Sequence, residues 1–279
     1  MKPRHLISRV FLAAALLLFM AAVLFPIYWA LRTALLPKEH IATTPLIYAP
    51  FPPSGESFRE VFTNRDFLLS VKHSALVAGG ATLLSLVLGA MAACALGRYR
   101  FPGRRPLLLL LLSMTMFPQI AVVGALYNLA LRLKLYDTEI GLMLSHLLLT
   151  LPFTVWVLTS FFKALPRELE ESAYVDGASP FQTFWRVLLP LAAPGIATTG
   201  ILAFITSWNE YLFALSLTTA RGARTLPVAI AQFTGVAQYE TPWGQIMAAS
   251  LLATAPLILV VLLFQRLIVG GLTAGSVKG

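Results

Sequence analysis

Apolar residues in this chain gather into long runs and rarely alternate with polar ones. Six runs, at about 10–31, 74–96, 107–130, 140–162, 194–217 and 246–267, are built mainly from Leu, Ala, Val, Ile and Phe and carry few charges. A helix crosses the roughly 30 Å of bilayer hydrocarbon with about 20 residues, at about 1.5 Å per residue. Each run therefore predicts a membrane-spanning helix. The fold class expected is all-α, a polytopic membrane protein with six transmembrane helices in a single domain over 1–279. Lys2, Arg4 and Arg9 precede the first run, as they would in a secretory leader. The apolar character continues through Ile27, Tyr28, Trp29 and Ala30 with no small-x-small cleavage site, so this run reads as a retained span. Pro118, Pro152 and Pro256 lie inside runs and predict kinks.

The polar segments between the runs differ in kind. Residues 37–58 hold Pro37, Pro45, Pro50, Pro52, Pro53 and Gly55, a composition for an extended loop, and Asn64, Arg65, Asp66 and Phe67 suggest a short amphipathic element before the second run. Residues 163–193 are patterned too strongly for a loop. Pro166 suits a first helical position, Glu168, Glu170 and Glu171 load the first turns with the charge a helix N-terminus prefers, and Gly177 suits a left-handed stop. Ser179 then reads as an N-cap before Pro180. Phe181, Phe184, Trp185 and Leu188 follow at helical spacing and predict a second short helix with one aromatic face, closed at Pro190. Both helices are too short to span. Two readings stand: a pair lying on the bilayer, or a knob that docks into another protein. The acids Glu168, Glu170, Glu171 and Asp176 count against an anionic lipid surface.

Composition agrees with lipid as the solvent: 58% of residues are hydrophobic, 12% are charged, and mean hydropathy is +0.78. The net charge of +9 could suggest nucleic acid, but Lys and Arg are scattered between the runs and form no stripe, so anionic lipid headgroups are the expected partner. Alternate segments hold twelve and nine basic residues, and the tight turn with Arg98, Arg100, Arg104 and Arg105 has no acid. By the positive-inside rule both termini are expected in the cytoplasm. Cys94, the one cysteine, excludes an intramolecular disulfide and a Cys-based metal cluster.

Glu171, Ser172 and Ala173, then Gly177, then Val187, Leu188, Leu189 and Pro190 resemble in spacing the cytoplasmic "EAA" signature of membrane subunits of ATP-binding-cassette importers. Ser172 replaces the usual middle alanine. The segment from Ile205 through Trp208, Asn209, Glu210 and Tyr211, and the tail from Gly271 to Gly279, resemble the carbohydrate-uptake branch, specifically the smaller membrane subunit of maltose and trehalose transporters. The likeness covers nearly the whole chain. It implies the type I importer permease fold, with 163–193 as a coupling loop seated on a separate ATPase. By resemblance Glu171, Ala173, Gly177, Leu189 and Pro190 carry ATPase coupling, and Thr273, Gly275 and Lys278 lie in a tail that enters the ATPase interface. It further implies a second membrane subunit in a heterodimer, two ATPase copies and an extracytoplasmic sugar-binding protein. ATP and Mg would be held by the ATPase, no cofactor by this chain, and the location would be the cell membrane of a bacterium or archaeon.

A carboxylate inside a span costs about 2.5–3.5 kcal/mol on insertion scales, so Glu210 should face a bundle interior or a water-filled cavity. Trp208, Asn209, Glu210 and Tyr211 are candidate translocation-path residues, since an amide, a carboxylate and aromatic plates suit sugar hydroxyls and ring faces. Structural pairing of Glu210 with a neighbouring helix is the other reading. Asn128, Ser145, His146, Thr150, Ser160, Thr198, Thr199, Ser207 and Ser250 are expected to hydrogen-bond between helices. His146 has no second His or Cys near it in sequence, which argues against metal. No Lys precedes Ser or Thr, so there is no phosphate-binding loop for ATP hydrolysis, and hydrolase motifs are absent. The leading expectation is a non-catalytic pore subunit of an ATP-driven sugar importer working by alternating access. An ion-driven carrier using Glu210 is the alternative.

Overall fold

The computed structural model describes residues 3–219, 222–233 and 241–274. Its contacts divide into two compact units, Met1–Leu68 with Ile230–Ala255, and Leu69–Ala229 with Pro256–Gly279. In the first unit, α1 (Pro3–Leu35) exposes Phe11, Leu17 and Leu18, as a lipid-facing helix should. The Pro-rich segment after it is a loop without α-helix, as expected, though it opens on a 3-10 turn at Lys38–His40, and it is pinned to the helix end. Buried Arg32 stacks on Trp29 and donates its Nε to Ile47 O at 2.7 Å, while Tyr28 donates its hydroxyl to Tyr48 O at 2.6 Å.

The amphipathic element of the first unit starts earlier than the sequence suggests, as α2 (Glu56–Thr63). Asn64 is the reason, because its Oδ1 accepts from Phe67 N at 3.0 Å and starts α3 (Arg65–Arg98) there. Lys38 donates to Glu60 and lies 3.3 Å from Glu56, and Gln245 donates to Glu60 at 2.6 Å. Burial raises the Glu60 pKa, but these hydrogen bonds outweigh it and hold the carboxyl below its ordinary range.

The second unit continues α3 and adds α4 (Arg104–Met114), α5 (Gln119–Arg132), α6 (Glu139–Ala164), α7 (Glu168–Val175), α8 (Pro180–Thr183), a π turn over Phe184–Leu188 and α9 (Leu189–Leu191). After these come α10 (Ala193–Trp208), α11 (Leu212–Leu217), α12 (Leu226–Ala231) and the later part of α13 (Trp243–Ala274). Four stretches among the described residues can each cross a membrane alone: Phe11–Leu35, Arg65–Arg98, Glu139–Ala164 and Trp243–Gln265. The count reaches six when two bent pairs each count as one span.

Two of the six expected runs are therefore not single helices. The run at 107–130 breaks where α4 and α5 meet at 95°, because Pro118 lacks an N–H and takes the extended backbone that caps α5. The run at 194–217 is interrupted at 209–211 between α10 and α11, and a further bend of 76° separates Pro180–Leu191 from α10. Pro152 and Pro256, by contrast, lie within unbroken α6 and α13.

The expected interhelical hydroxyl bonds are also fewer. Asn128, Ser145, Thr150, Thr199 and Ser250 donate to carbonyls three or four residues back in their own helices, the local option open to short polar side chains. Ser207 and His146 do join two helices.

Two clusters hold this unit together. Val77, Leu142, Phe213, Ala214 and Leu217 gather α3, α6 and α11, while Ala90, Ala93, Leu158, Phe162, Phe184 and Leu188 bind the π turn to α3 and α6.

Candidate functional site

The segment after α6 is built as its residues dictate locally. Leu165 is extended ahead of Pro166, and α7 then begins with Glu168, Glu170 and Glu171 in its first turn. Gly177 ends it at φ +80°, with Gly177 N donating to Tyr174 O and Ala178 N reaching Ala173 O, so the chain turns by a left-handed glycine. Ser179 caps α8 in a reciprocal box: its Oγ accepts from Gln182 N at 3.3 Å, and Gln182 Oε1 accepts from Ser179 N at 2.8 Å.

The second helix departs from expectation in two ways. It does not close at Pro190. Phe184–Leu188 widens to a π turn in which Leu189 N–H reaches back to Phe184 O, and the helix continues to Leu191. Proline has no N–H and its ring crowds the carbonyl four residues earlier, which the wider turn accommodates. Nor do the aromatics form one face. Phe184 and Leu188 are buried, with Phe184 packed 6.2 Å from Phe162, while Phe181 and Trp185 are exposed and stack edge-on at 6.1 Å.

The outward surface of α7 is a shallow open groove of about 360 Å³ lined by Glu168, Glu171, Ser172, Val175 and Asp176. Val175 is fully in solvent at 87% exposure, and Ala173 is the one buried residue of the helix. Of the residues expected to couple to an ATPase, Glu171 and Gly177 are exposed, Pro190 is exposed beyond the π turn, Leu189 is half-buried and Ala173 faces inward. Thr273 falls in the last turn of α13, and Gly275 and Lys278 lie outside the described residues.

Arg98 holds this segment to the bundle, a role invisible in the sequence. Its guanidinium, 4% exposed, donates through Nη1 to Phe162 O at 3.1 Å and Leu165 O at 2.7 Å, and through Nη2 to Pro166 O at 3.2 Å and Glu170 Oε2 at 2.8 Å. The carbonyls belong to the unsatisfied end of α6 and its exit. Glu170, expected among the outward acids, therefore turns inward. Next to Arg98, burial and a hydrogen bond with Tyr174 of α7 push the Tyr99 phenol up to about 12.

At the second candidate region, Asn209, Glu210 and Tyr211 form the break between α10 and α11. Glu210, 6% exposed, accepts from two backbone amides in the first turn of α11, Phe213 N at 2.7 Å and Ala214 N at 3.0 Å, and lies 3.2 Å from His146 Nε2. His146 Nδ1 in turn meets Ser207 Oγ at 2.6 Å. This caps a short helix with a buried carboxylate, and the positive end of a helix suits one there. Trp208 is buried, whereas Asn209 and Tyr211 are exposed and Asn209 donates to Ile205 O at 2.8 Å. His146 is oriented by Ser207 and Glu210, and no group of three metal-ligating side chains occurs among the described residues.

Behind that break, Asp137 clamps the loop after α11, and sequence reading missed it as well. At φ +60° its carboxylate accepts from Thr219 N at 2.9 Å, Thr219 Oγ1 at 2.6 Å and Ala223 N at 3.2 Å. A Cβ on Gly222 would lie within 2.0 Å of that carboxylate. The Asn or Asp preference for left-handed backbone was the available signal, but its partners lie more than eighty residues away in sequence.

Residues 85–273 match the family described as binding-protein-dependent transport system inner membrane component. The chain is 43% identical over 256 residues to a trehalose transport system permease protein of Mycobacterium tuberculosis, covering 92% of this chain and 93% of that protein. It is 37% identical over 277 residues to a trehalose/maltose transport system permease protein of Thermococcus litoralis, covering 99% of each. Its fold is similar to that of a bacterial ABC transporter involved in the import of the acidic polysaccharide alginate, with a TM-score of 0.80 at 20% identity over 95% of this chain and 98% of that one. With a family match across most of its length and relatives aligned almost end to end, the chain belongs to the inner membrane components of binding-protein-dependent transport systems.

Proposed function

We propose that this chain is a non-catalytic pore subunit of an ATP-driven sugar importer, with trehalose or a maltose-type glucan as cargo. The observation that carries the mechanism is the exposed acidic surface of α7, hinged at the left-handed Gly177. The family supplies the need for a binding protein, and the names of the two relatives support the sugar class. In this reading Glu171, Val175 and the exposed Phe181 and Trp185 dock into a cytoplasmic ATPase subunit. Two ATPase copies hold ATP and Mg, this chain holds neither, and a second membrane subunit completes a heterodimer. Both termini face the cytoplasm, and lipid covers the exposed apolar residues of α1.

Alternating access follows from that arrangement. ATP binding closes the ATPase pair, draws the docked segments together and tilts the spans they are bolted to, and hydrolysis resets them. Asn209 and Tyr211, exposed beside the α10–α11 break, are the path residues that meet cargo, with Trp208 and Glu210 holding the break behind them. An ion-driven carrier would instead need Glu210 to exchange its ion, whereas two backbone amides already occupy this carboxylate and His146 Nε2 lies 3.2 Å from it.

The test is the reconstituted transporter with its binding protein in vesicles, offered trehalose, maltose and longer maltodextrins. One of these sugars is expected to stimulate ATP hydrolysis and to enter only with ATP. Glu171→Lys should weaken retention of the ATPase subunits by roughly tenfold or more, the scale of a broken interfacial charge contact. Uptake driven by an ion gradient without ATP would overturn the proposal.

A further inference from the structure

The short helix that would carry the docking surface has little apolar grip of its own. Among the residues of α7, only Ala173 is buried, and no salt bridge but Glu170 to Arg98 is formed by its side chains. Apolar anchorage lies beyond the Gly177 corner, at Phe184 and Leu188. A force applied to the outward acids of α7 therefore passes around that corner, through the hydrogen bond of Tyr174 with Tyr99, or through the Arg98 guanidinium.

The route through Arg98 is the most rigid. Arg98 is the last residue of α3, and its planar fork spreads two nitrogens over four acceptors: the carbonyls of Phe162 in α6, of its C-cap Leu165 and of Pro166 beyond it, and the Glu170 carboxylate. Three elements thus converge on one side chain. A fork of this kind fixes angle as well as distance, which a single ammonium cannot do. The Arg98 side chain is 4% exposed and that of Glu170 16%, so little water competes for the contact.

We propose that Arg98 is a positioning residue that, through Glu170, makes α7 move as one body with the inner ends of α3 and α6, so that docking at α7 is transmitted to the spans. This rests on the docking reading above. Arg98 touches neither cargo nor the outward groove of α7, so its loss acts on transmission and leaves docking in place.

The experiment uses the whole transporter with its binding protein in vesicles, carrying Arg98→Lys, Glu170→Ala or, as a control on docking, Glu171→Lys. Three quantities are read: ATPase subunits retained on purification, ATP turnover, and sugar imported per ATP. For Arg98→Lys and Glu170→Ala the ATPase subunits stay bound and ATP is still hydrolysed, while sugar per ATP falls about tenfold, within the usual range of coupling between sites. Glu170→Ala keeps the three carbonyl bonds of Arg98, so it tests the tether even where Arg98→Lys disturbs folding. A wild-type ratio of sugar to ATP in either variant overturns the proposal, as does loss of the ATPase subunits, which would make these residues part of the docking surface. If instead Glu171→Lys retains both the ATPase subunits and import, it is the docking reading that fails.

Discussion

Asp137 and Gly222 show how one missing side chain sets the geometry of a loop. Asp137 sits at φ +60° and receives two backbone amides and a hydroxyl from the segment after α11, and Gly222 passes so close that any Cβ would overlap the carboxylate. Backbone and carboxylate cannot both stay in place if that space is filled. Gly222→Ala is expected to destabilise the protein by about 1.5–3 kcal/mol, the usual worth of hydrogen bonds to a charged group. Asp137→Asn should cost less, because an amide oxygen still accepts from the amides and asparagine tolerates the left-handed backbone. Thermal unfolding in detergent measures both, and equal stability of Gly222→Ala and wild type would show that the loop moves freely around Asp137. Glu210 follows the same logic. A costly carboxylate in an apolar run was legible in the sequence, as was its need for partners. That it would cap the short helix just after it, with His146 from α6 beside it, depends on packing that no local pattern encodes.

Whole elements were legible where their signals are local and hidden where they depend on distant residues. Gly177 and Ser179 specify their turn and cap from a few neighbouring residues, and both form as the sequence predicts. The spacing of Phe181, Phe184, Trp185 and Leu188 also promised a helix, but it could not say which aromatics turn inward. The π turn shifts the register, so Phe184 and Leu188 enter the core with Phe162 while Phe181 and Trp185 remain outside. The break at Pro118 was visible as a proline, and its 95° extent was not. Arg98 looked like one charge in a cluster that sets orientation, because Glu170 is 72 residues away in sequence. Burial of Phe184 makes the π segment the anchor of the short helices after α6. Phe184→Ala should therefore cost about 3–5 kcal/mol, the usual range for emptying a core phenylalanine. Trp185→Ala, on the exposed side of the same turn, should change the unfolding midpoint far less, and a comparable loss at both positions would contradict the split face.

For the molecule as a whole, the proposed function requires that a bend at one end of a bundle become a change along its spans. The second unit has the parts for this: a hinge residue at Gly177, an anchored π segment on one side of it, and a tethered α7 on the other. Small shifts at such a site are amplified when the elements behind it are packed and rigid. Gly177→Pro removes the hinge without touching any span. Proline cannot reach φ +80°, and it lacks the N–H that Gly177 donates to Tyr174 O, so α7 must change its angle to the segment after it. The assembled variant is expected to insert normally and to hydrolyse ATP, with uptake lowered by about tenfold or more relative to hydrolysis. Measuring vesicle uptake and ATP turnover on the same preparation separates this from simple loss of protein. Gly177→Asn, which can adopt a left-handed backbone and keeps the amide, should restore most of the coupling. Equal uptake by the proline variant and the wild type would mean that motion reaches the spans by a route other than this corner.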